Sequence, residues 1–263
     1  MNVSRILAPN PGWLTGAGTN TYVITSGEEC AVIDPGPNVG EHVAAIVAAC
    51  TPARPVAVLV THGHPDHYPA APAVAALLSV PVLGPIAVGG FKPDRVLADG
   101  EVVECGSVGI EAVATPGHCA DHFCYRAGNH VFTGDLVLGG TSVVVEDVSA
   151  YLDSLGRLRR LEPACLWPGH GERIDDPGSE IDGRIEHRLR RERQVIDAIA
   201  AGAGTVPEIV ALVYHDVPEA LHPVAEISVV AHLRRLRAET GVELSLGAAE
   251  SGAPETTREE TAG

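Results

Sequence analysis

The apolar run Val56-Ala57-Val58-Leu59-Val60 leads straight into Thr61-His62-Gly63-His64-Pro65-Asp66-His67. A short run of β-branched apolar residues bounded by turn signals fits a buried strand. The seven residues after it are therefore a loop at a strand end, where ligands of α/β proteins gather. Imidazole nitrogens and a carboxylate oxygen are the donors that suit zinc and its first-row neighbours. A histidine-rich surface turn is the bland alternative. The density of donors behind a buried strand favours a metal site.

One loop cannot wrap a pair of metals, so further donors must come from later in the chain. Thr115-Pro116-Gly117-His118 follows Ile110 to Ala114, Thr133-Gly134-Asp135 follows His130 to Phe132, and Pro168-Gly169-His170-Gly171 follows Ala164 to Trp167. Each reads as a strand, a glycine-containing turn and a donor, the glycine allowing a sharp bend where bulk would block the site. A single Gly-His or Gly-Asp is an ordinary turn; the ordered set is not.

That set resembles the metallo-β-lactamase fold superfamily, in its hydrolase branch. The resemblance implies that His62, His64 and His118 hold a first metal, that Asp66, His67 and His170 hold a second, and that Asp135 bridges them. True dizinc β-lactamases typically place Cys where Asp135 stands, which argues against antibiotic hydrolysis. Gly18 to Tyr22, Val145 to Leu155 and the His187-Arg188 region extend the likeness to about Leu246, toward the branch holding the mitochondrial metallo-β-lactamase-like endoribonuclease and glyoxalase II-like enzymes. Tyr68-Pro69 departs from the small residues more usual after the Asp-His pair. The implied chemistry is attack by a metal-bridging hydroxide, with Asp66 or Asp135 relaying the proton. Asp121 and His122 are candidates for orienting ligands or protonating a leaving group, and Tyr151 for lining the pocket.

The implied fold is α/β, a four-layer αββα sandwich over residues 1–178, followed by a winged-helix-like domain at 179–247 and a disordered tail at 248–263. Strand and helix patterns agree: strands near Tyr22–Thr25, Cys30–Asp34 and Val56–Val60, helices over Gly40–Cys50, Ala70–Ser79 and Asp147–Leu161, and a series of short strands from Val82 to Phe132. Beyond Asp176-Pro177-Gly178 the pattern turns helical: Glu180–Ala201, Thr205–Tyr214 with a Thr cap, and Ala225–Glu239, then Gly241 to Leu246 as a hairpin or wing.

Composition narrows the function. With 45% hydrophobic but only 4% aromatic residues, the core must be filled by Val, Leu, Ile and Ala. Met1 to Trp13 lacks an apolar targeting segment and no run reaches membrane-span length, so a cytoplasmic protein with no membrane partner is expected. Six cysteines without a C-x-x-C pair read as reduced, buried thiols, and Cys119, directly after His118, as a filler beside a complete imidazole set. His42, His130, His215, His222 and His232 read as structural or surface residues, and His187 as packing.

The net charge of −16 opposes a generic nucleic-acid binder, although two cations in a cleft would offset it locally. From Ser179 onward 9 basic residues face 15 acidic ones, so the run Arg184, Arg188, Arg190, Arg191, Arg193 reads first as a solvated helix face. Two substrate classes follow. The whole-chain likeness and the winged-helix-like end point to phosphodiesters of single-stranded RNA. The Thr-Pro-Gly-His and bridging-Asp pattern allows a small-molecule ester or thioester, as on an acyl carrier or glutathione. A non-catalytic module is disfavoured by the intact donor set. Mixed His/Asp ligation suits two divalent ions, zinc first, with manganese and iron compatible; the sequence sets no oligomeric state.

Overall fold

The computed structural model describes residues 1–241. Strands β1 (Asn2–Leu7), β2 (Asn20–Ser26), β3 (Glu29–Ile33), β4 (Arg54–Leu59), β5 (Val82–Gly84) and β6 (Arg95–Val96) lie in that spatial order in one sheet. A second sheet contains β7 (Val102–Cys105), β8 (Val108–Ala114), β9 (Phe123–Ala127), β10 (His130–Gly134) and β11 (Cys165–Pro168), again in order along the sheet. The first sheet is antiparallel from β1 to β3 and parallel from β3 to β6. That switch sets the C-terminal ends of β3 and β4 side by side, where Asp34 and Thr61-His62 follow. In the second sheet only β10 and β11 are parallel, so the donors after them also share one end.

Side-chain alternation builds the layers. Tyr22 and Ile24, Ala31 and Ile33, and Ala57 and Leu59 face Cys105, Ile110, Ala112, Tyr125 and Phe132 of the other sheet. Their neighbours Val23, Cys30, Val32, Val58 and Val60 pack instead on Val43 and Ile46 of helix α1 (Gly40–Ala49) and on Val74 and Ala75 of α2 (Ala71–Leu78). Strands buried on both faces read as continuous apolar runs, which is why β4 carries so plain a signal. Helix α3 (Val148–Arg160) is capped by Asp147, whose side chain accepts from the Ala150 amide at 2.9 Å. It is tied to the end of β8 and the turn after it, with Ser154 donating to the Pro116 carbonyl and Arg157 to the Ala114 carbonyl.

Strand β1 was not anticipated. Its six residues are exposed or half-buried and include Asn2, Ser4 and Arg5, so an edge strand of this kind leaves little apolar pattern to read. The six cysteines are all buried and unpaired. Among the described residues no helix is long and apolar enough to cross a membrane.

Helix α4 runs from Pro177 to Ala200, and the chain divides into two compact units between Arg190 and Arg191, within this helix; the sequence had suggested a boundary after 178. In the first unit α4 is tied down by Arg184, which donates to the Leu138 carbonyl, and by Arg188, which donates to the Val143 carbonyl and lies over the Tyr151 ring. The second unit packs Val195 and Ala198 with Ile209, Val210 and Val213 of α5 (Val206–Val213) and with Val229, Leu233 and Leu236 of α6 (His222–Thr240). Thr205 and Glu208 form a capping box at α5, with Pro207 at the second helical position. The expected wing at Gly241–Leu246 lies, past its first residue, outside the described residues, as does the tail.

Candidate metal centre

Every expected donor comes from a strand end or the turn after it, and both sheets deliver them to one place. His62, His64, Asp66 and His67 follow β4, His118 follows β8, Asp135 follows β10 and His170 follows β11. Close approach is possible because the turns contain glycine. A Cβ on Gly169 would stand 2.6 Å from Asp135 Oδ1 and 2.8 Å from His67 Cε1. Gly117, at φ +135°, leaves 2.4 Å between such an atom and the Tyr151 backbone, so no other residue fits there.

In the first cluster His64 Nδ1 lies 3.0 Å from His62 Nε2 and 3.0 Å from His118 Nε2. Two donors bound at roughly 2.0–2.1 Å to one tetrahedral centre would be about 3.3 Å apart, so this spacing fits a shared cation. The outer nitrogens fix the tautomers. His118 Nδ1 faces the Val144 carbonyl at 2.8 Å, and His62 Nδ1 faces the Thr61 hydroxyl at 3.0 Å, whose own proton goes to Asp34. Both rings therefore hold their proton outside and aim a bare Nε2 inward. Burial, reinforced for His62 by neighbouring imidazoles, holds His62 and His118 below the usual histidine range.

The second cluster is built on carboxylates. His170 Nε2 is 3.1 Å from Asp66 Oδ2 and 3.5 Å from Asp135 Oδ1, and His67 Nε2 is 3.5 Å and 3.4 Å from the same two atoms. Asp135 Oδ2 reaches toward His118 at 3.8 Å, so this one carboxylate faces both clusters. Here the outer nitrogens again meet acceptors: His67 Nδ1 meets Asp34 Oδ2 at 2.9 Å and His170 Nδ1 the Gly18 carbonyl at 3.2 Å. Burial opposes a charge on His67, but Asp135, Asp34 and Asp66 outweigh it and raise its pKa well above the usual value. Against the same burial, Asp135 and Asp66 raise His170 to about 9. Asp135 is pulled well below the ordinary carboxylate range, burial being overcome by His67 and His170.

These residues fit divalent cations. His67 Nε2 and Asp135 Oδ1 are buried without a hydrogen-bond partner among the described residues, although both belong to groups that need one. Donor atoms of His62, His64, His118 and Cys119, of His62, His67 and Asp135, and of Asp66, His67 and His170 each lie within 4.8 Å of one another.

The three supporting candidates take other places. His122 accepts the Asp135 amide at Nε2 (3.1 Å) and pairs Nδ1 with the Thr115 hydroxyl (2.9 Å), so its lone pair serves the backbone of Asp135. Asp121 accepts the Gly63 amide at 2.9 Å, holding the turn between His62 and His64. Tyr151 is buried and donates to the Leu136 carbonyl at 2.9 Å, as a core residue of α3. One residue was missed. Asp34 accepts from the Thr61 amide and hydroxyl and from His67, organising both halves of the loop, whereas the sequence pattern had placed it only at the end of a strand. A strand-terminal Asp before Pro-Gly, next to the donor-bearing strand, was the available signal.

Two facing sheets flanked by helices, with a His/Asp cluster at the strand ends, define the class as a metal-dependent hydrolase. The sequence pattern of the Metallo-beta-lactamase superfamily matches residues 14–170, and that of the beta-lactamase associated winged helix domain matches residues 205–243. The chain is 40% identical over 233 residues to an atrochrysone carboxyl ACP thioesterase of Aspergillus chevalieri, covering 82% of this chain and 74% of that protein. It is 33% identical to a beta-lactamase-like protein 2 homolog of Caenorhabditis elegans, covering 92% of this chain and 86% of the other. A metallo-beta-lactamase family protein of Thermus thermophilus superposes with a TM-score of 0.75 at 20% identity, over 90% of this chain and 93% of its own. The chain belongs to the metallo-beta-lactamase superfamily.

Proposed function

We propose that this hydrolase cleaves acyl thioesters, using two divalent cations, zinc first, held by His62, His64 and His118 on one side and by Asp66, His67 and His170 on the other. The observation that carries the hydrolytic reading is Asp135, whose two carboxylate oxygens face the two clusters separately. Such a cation pair supplies a water acidic enough to attack at neutral pH and a Lewis acid for the carbonyl oxygen. The chain's own residues do the rest. Asp34, His122 and Asp121 hold the donors in register, and the glycine turns keep bulk out. Asp135 is buried, whereas the Asp66 side chain is 27% exposed and so can pass a proton between the cleft and solvent. We assign it the delivery of that proton to the departing thiolate.

The thioester reading is supported by the ACP thioesterase relative and by charge. Net −16 disfavours polyanions, and Arg184, Arg188, Arg191 and Arg235 are already committed to carbonyls, rings or carboxylates of this chain. Phosphodiester cleavage in single-stranded RNA keeps specific support from the winged-helix match and from the exposed Arg190, Arg193 and Arg234. The unpaired buried cysteines support a reducing, cytoplasmic setting.

The test sets metal-loaded chain against a panel of acyl thioesters and single-stranded RNA, with Asp135→Ala as the blank. Thioester turnover lost in the variant is expected. RNA cleavage lost in the variant, with thioesters untouched, would replace the thioester reading with the nuclease one.

A further inference from the structure

The mechanism leaves one nucleophilic side chain beside the donors unused. Cys119 follows His118 and is buried, and its sulfur belongs to the same set of donor atoms as His62, His64 and His118, all within 4.8 Å. Asp121, two residues on and near the thiol, accepts the Gly63 amide at Oδ2. Cys119 and Asp121 thus link the residue after one ligand to the turn between the other two. The donor cluster beside them points to a cation independently of the cysteine: His62 and His118 present bare Nε2 atoms, and the buried Asp135 Oδ1 and His67 Nε2 have no hydrogen-bond partner among the described residues.

We propose that Cys119 is a further donor of the three-histidine site, beside the shared Asp135. The inference rests on the metal-site reading above. On binding, the S–H bond breaks, sulfur keeps the electron pair and donates it to the cation, and the proton passes to the Asp121 carboxylate and on to solvent. With three nitrogens and the shared Asp135 oxygen, one sulfur would make a fifth donor and so take the position a catalytic site leaves to water. Thiolate and water then compete for one coordination position, giving the site a closed resting form and an open working one. A soft sulfur donor also tilts this site toward zinc and cobalt and away from manganese, a bias the seven His and Asp ligands alone lack.

Cobalt(II) bound to the full chain tests this without reference to turnover. The expected spectrum contains a sulfur-to-cobalt charge-transfer band in the near ultraviolet that disappears in Cys119→Ser, while the visible bands of bound cobalt remain. Cys124→Ser, a substitution at another buried thiol, should keep the band. Zinc affinity by chelator competition should fall about tenfold or more in Cys119→Ser. Zinc X-ray absorption of the unaltered chain gives a measurement that needs no variant: one sulfur at about 2.3 Å. Two cobalt ions taken up with no sulfur signature, or a band that survives Cys119→Ser, overturn the assignment and leave the metal centre standing. Failure to bind cobalt or zinc at all overturns both.

Discussion

The two halves of the candidate centre hold nearly the same residue types in opposite electrostatic states. Around His62, His64 and His118 the nearest groups are other imidazoles, a hydroxyl and a backbone carbonyl, with the shared Asp135 further off, and burial holds His62 and His118 below the usual histidine range. Around His67 and His170 stand Asp34, Asp66 and Asp135, and both rings favour a proton. A buried imidazolium costs several kcal/mol unless carboxylates compensate it, and the second half, with Asp34 and Asp66 beside the shared Asp135, supplies more of them. The first half is thus a set of open lone pairs, ready for a cation. The second is a closed ion-pair network from which a cation must displace protons.

Removing the group shared by both halves should have the largest effect. Asp135→Ala is expected to lower thioester turnover on the order of a thousandfold or more, with metal content falling toward one ion per chain. If both ions stay bound, the division into halves is wrong. Asp34→Asn should discriminate between them more finely. It replaces the carboxylate oxygen that His67 Nδ1 meets, so metal affinity of the second half should drop about 10- to 100-fold, as outer partners of ligands commonly dictate, while the three-histidine half, reached only through the Thr61 hydroxyl, should lose less. Isothermal titration with two resolved sites would read this directly.

Proton release should separate the halves by pH. His170 is raised from 6.5 to about 9, so in metal-free protein it is protonated at neutral pH and loses its proton as pH rises through about 9. Metal loading at about pH 7.5 should therefore expel more protons than loading at about pH 10, as measured with a dye in weak buffer. The same sign makes the metal-free fold lose the contribution of this pair as pH climbs through that range. Equal release at both pH values would contradict the ion-pair picture. The smallest effect lies outside the centre. Asp147→Ala removes the cap of α3 and should cost about 1 kcal/mol of stability by chemical denaturation, without changing metal content.

Much of the centre was legible because its donors sit where strand patterns end. Thr61 to His67, His118, Asp135 and His170 each follow an apolar run with a glycine in the turn, and local periodicity is enough to find such places. Asp34 was not legible in that way. Its partners are 27 and 33 residues away, and the contact exists only because β3 and β4 pair in parallel with their ends aligned. Tyr151 shows the converse: an aromatic within a matched stretch could line a pocket or fill a core, and only the packing of α3 against Gly117 puts it in the core.

By itself, then, the sequence located the candidate donors, the strand-and-helix alternation and the glycine turns, because each depends on residues close together in the chain. Tertiary structure decided which imidazoles are neutral, which carry a proton and which nitrogen faces inward. Those properties depend on burial and on carboxylates or carbonyls contributed from distant strands, and no local pattern contains them.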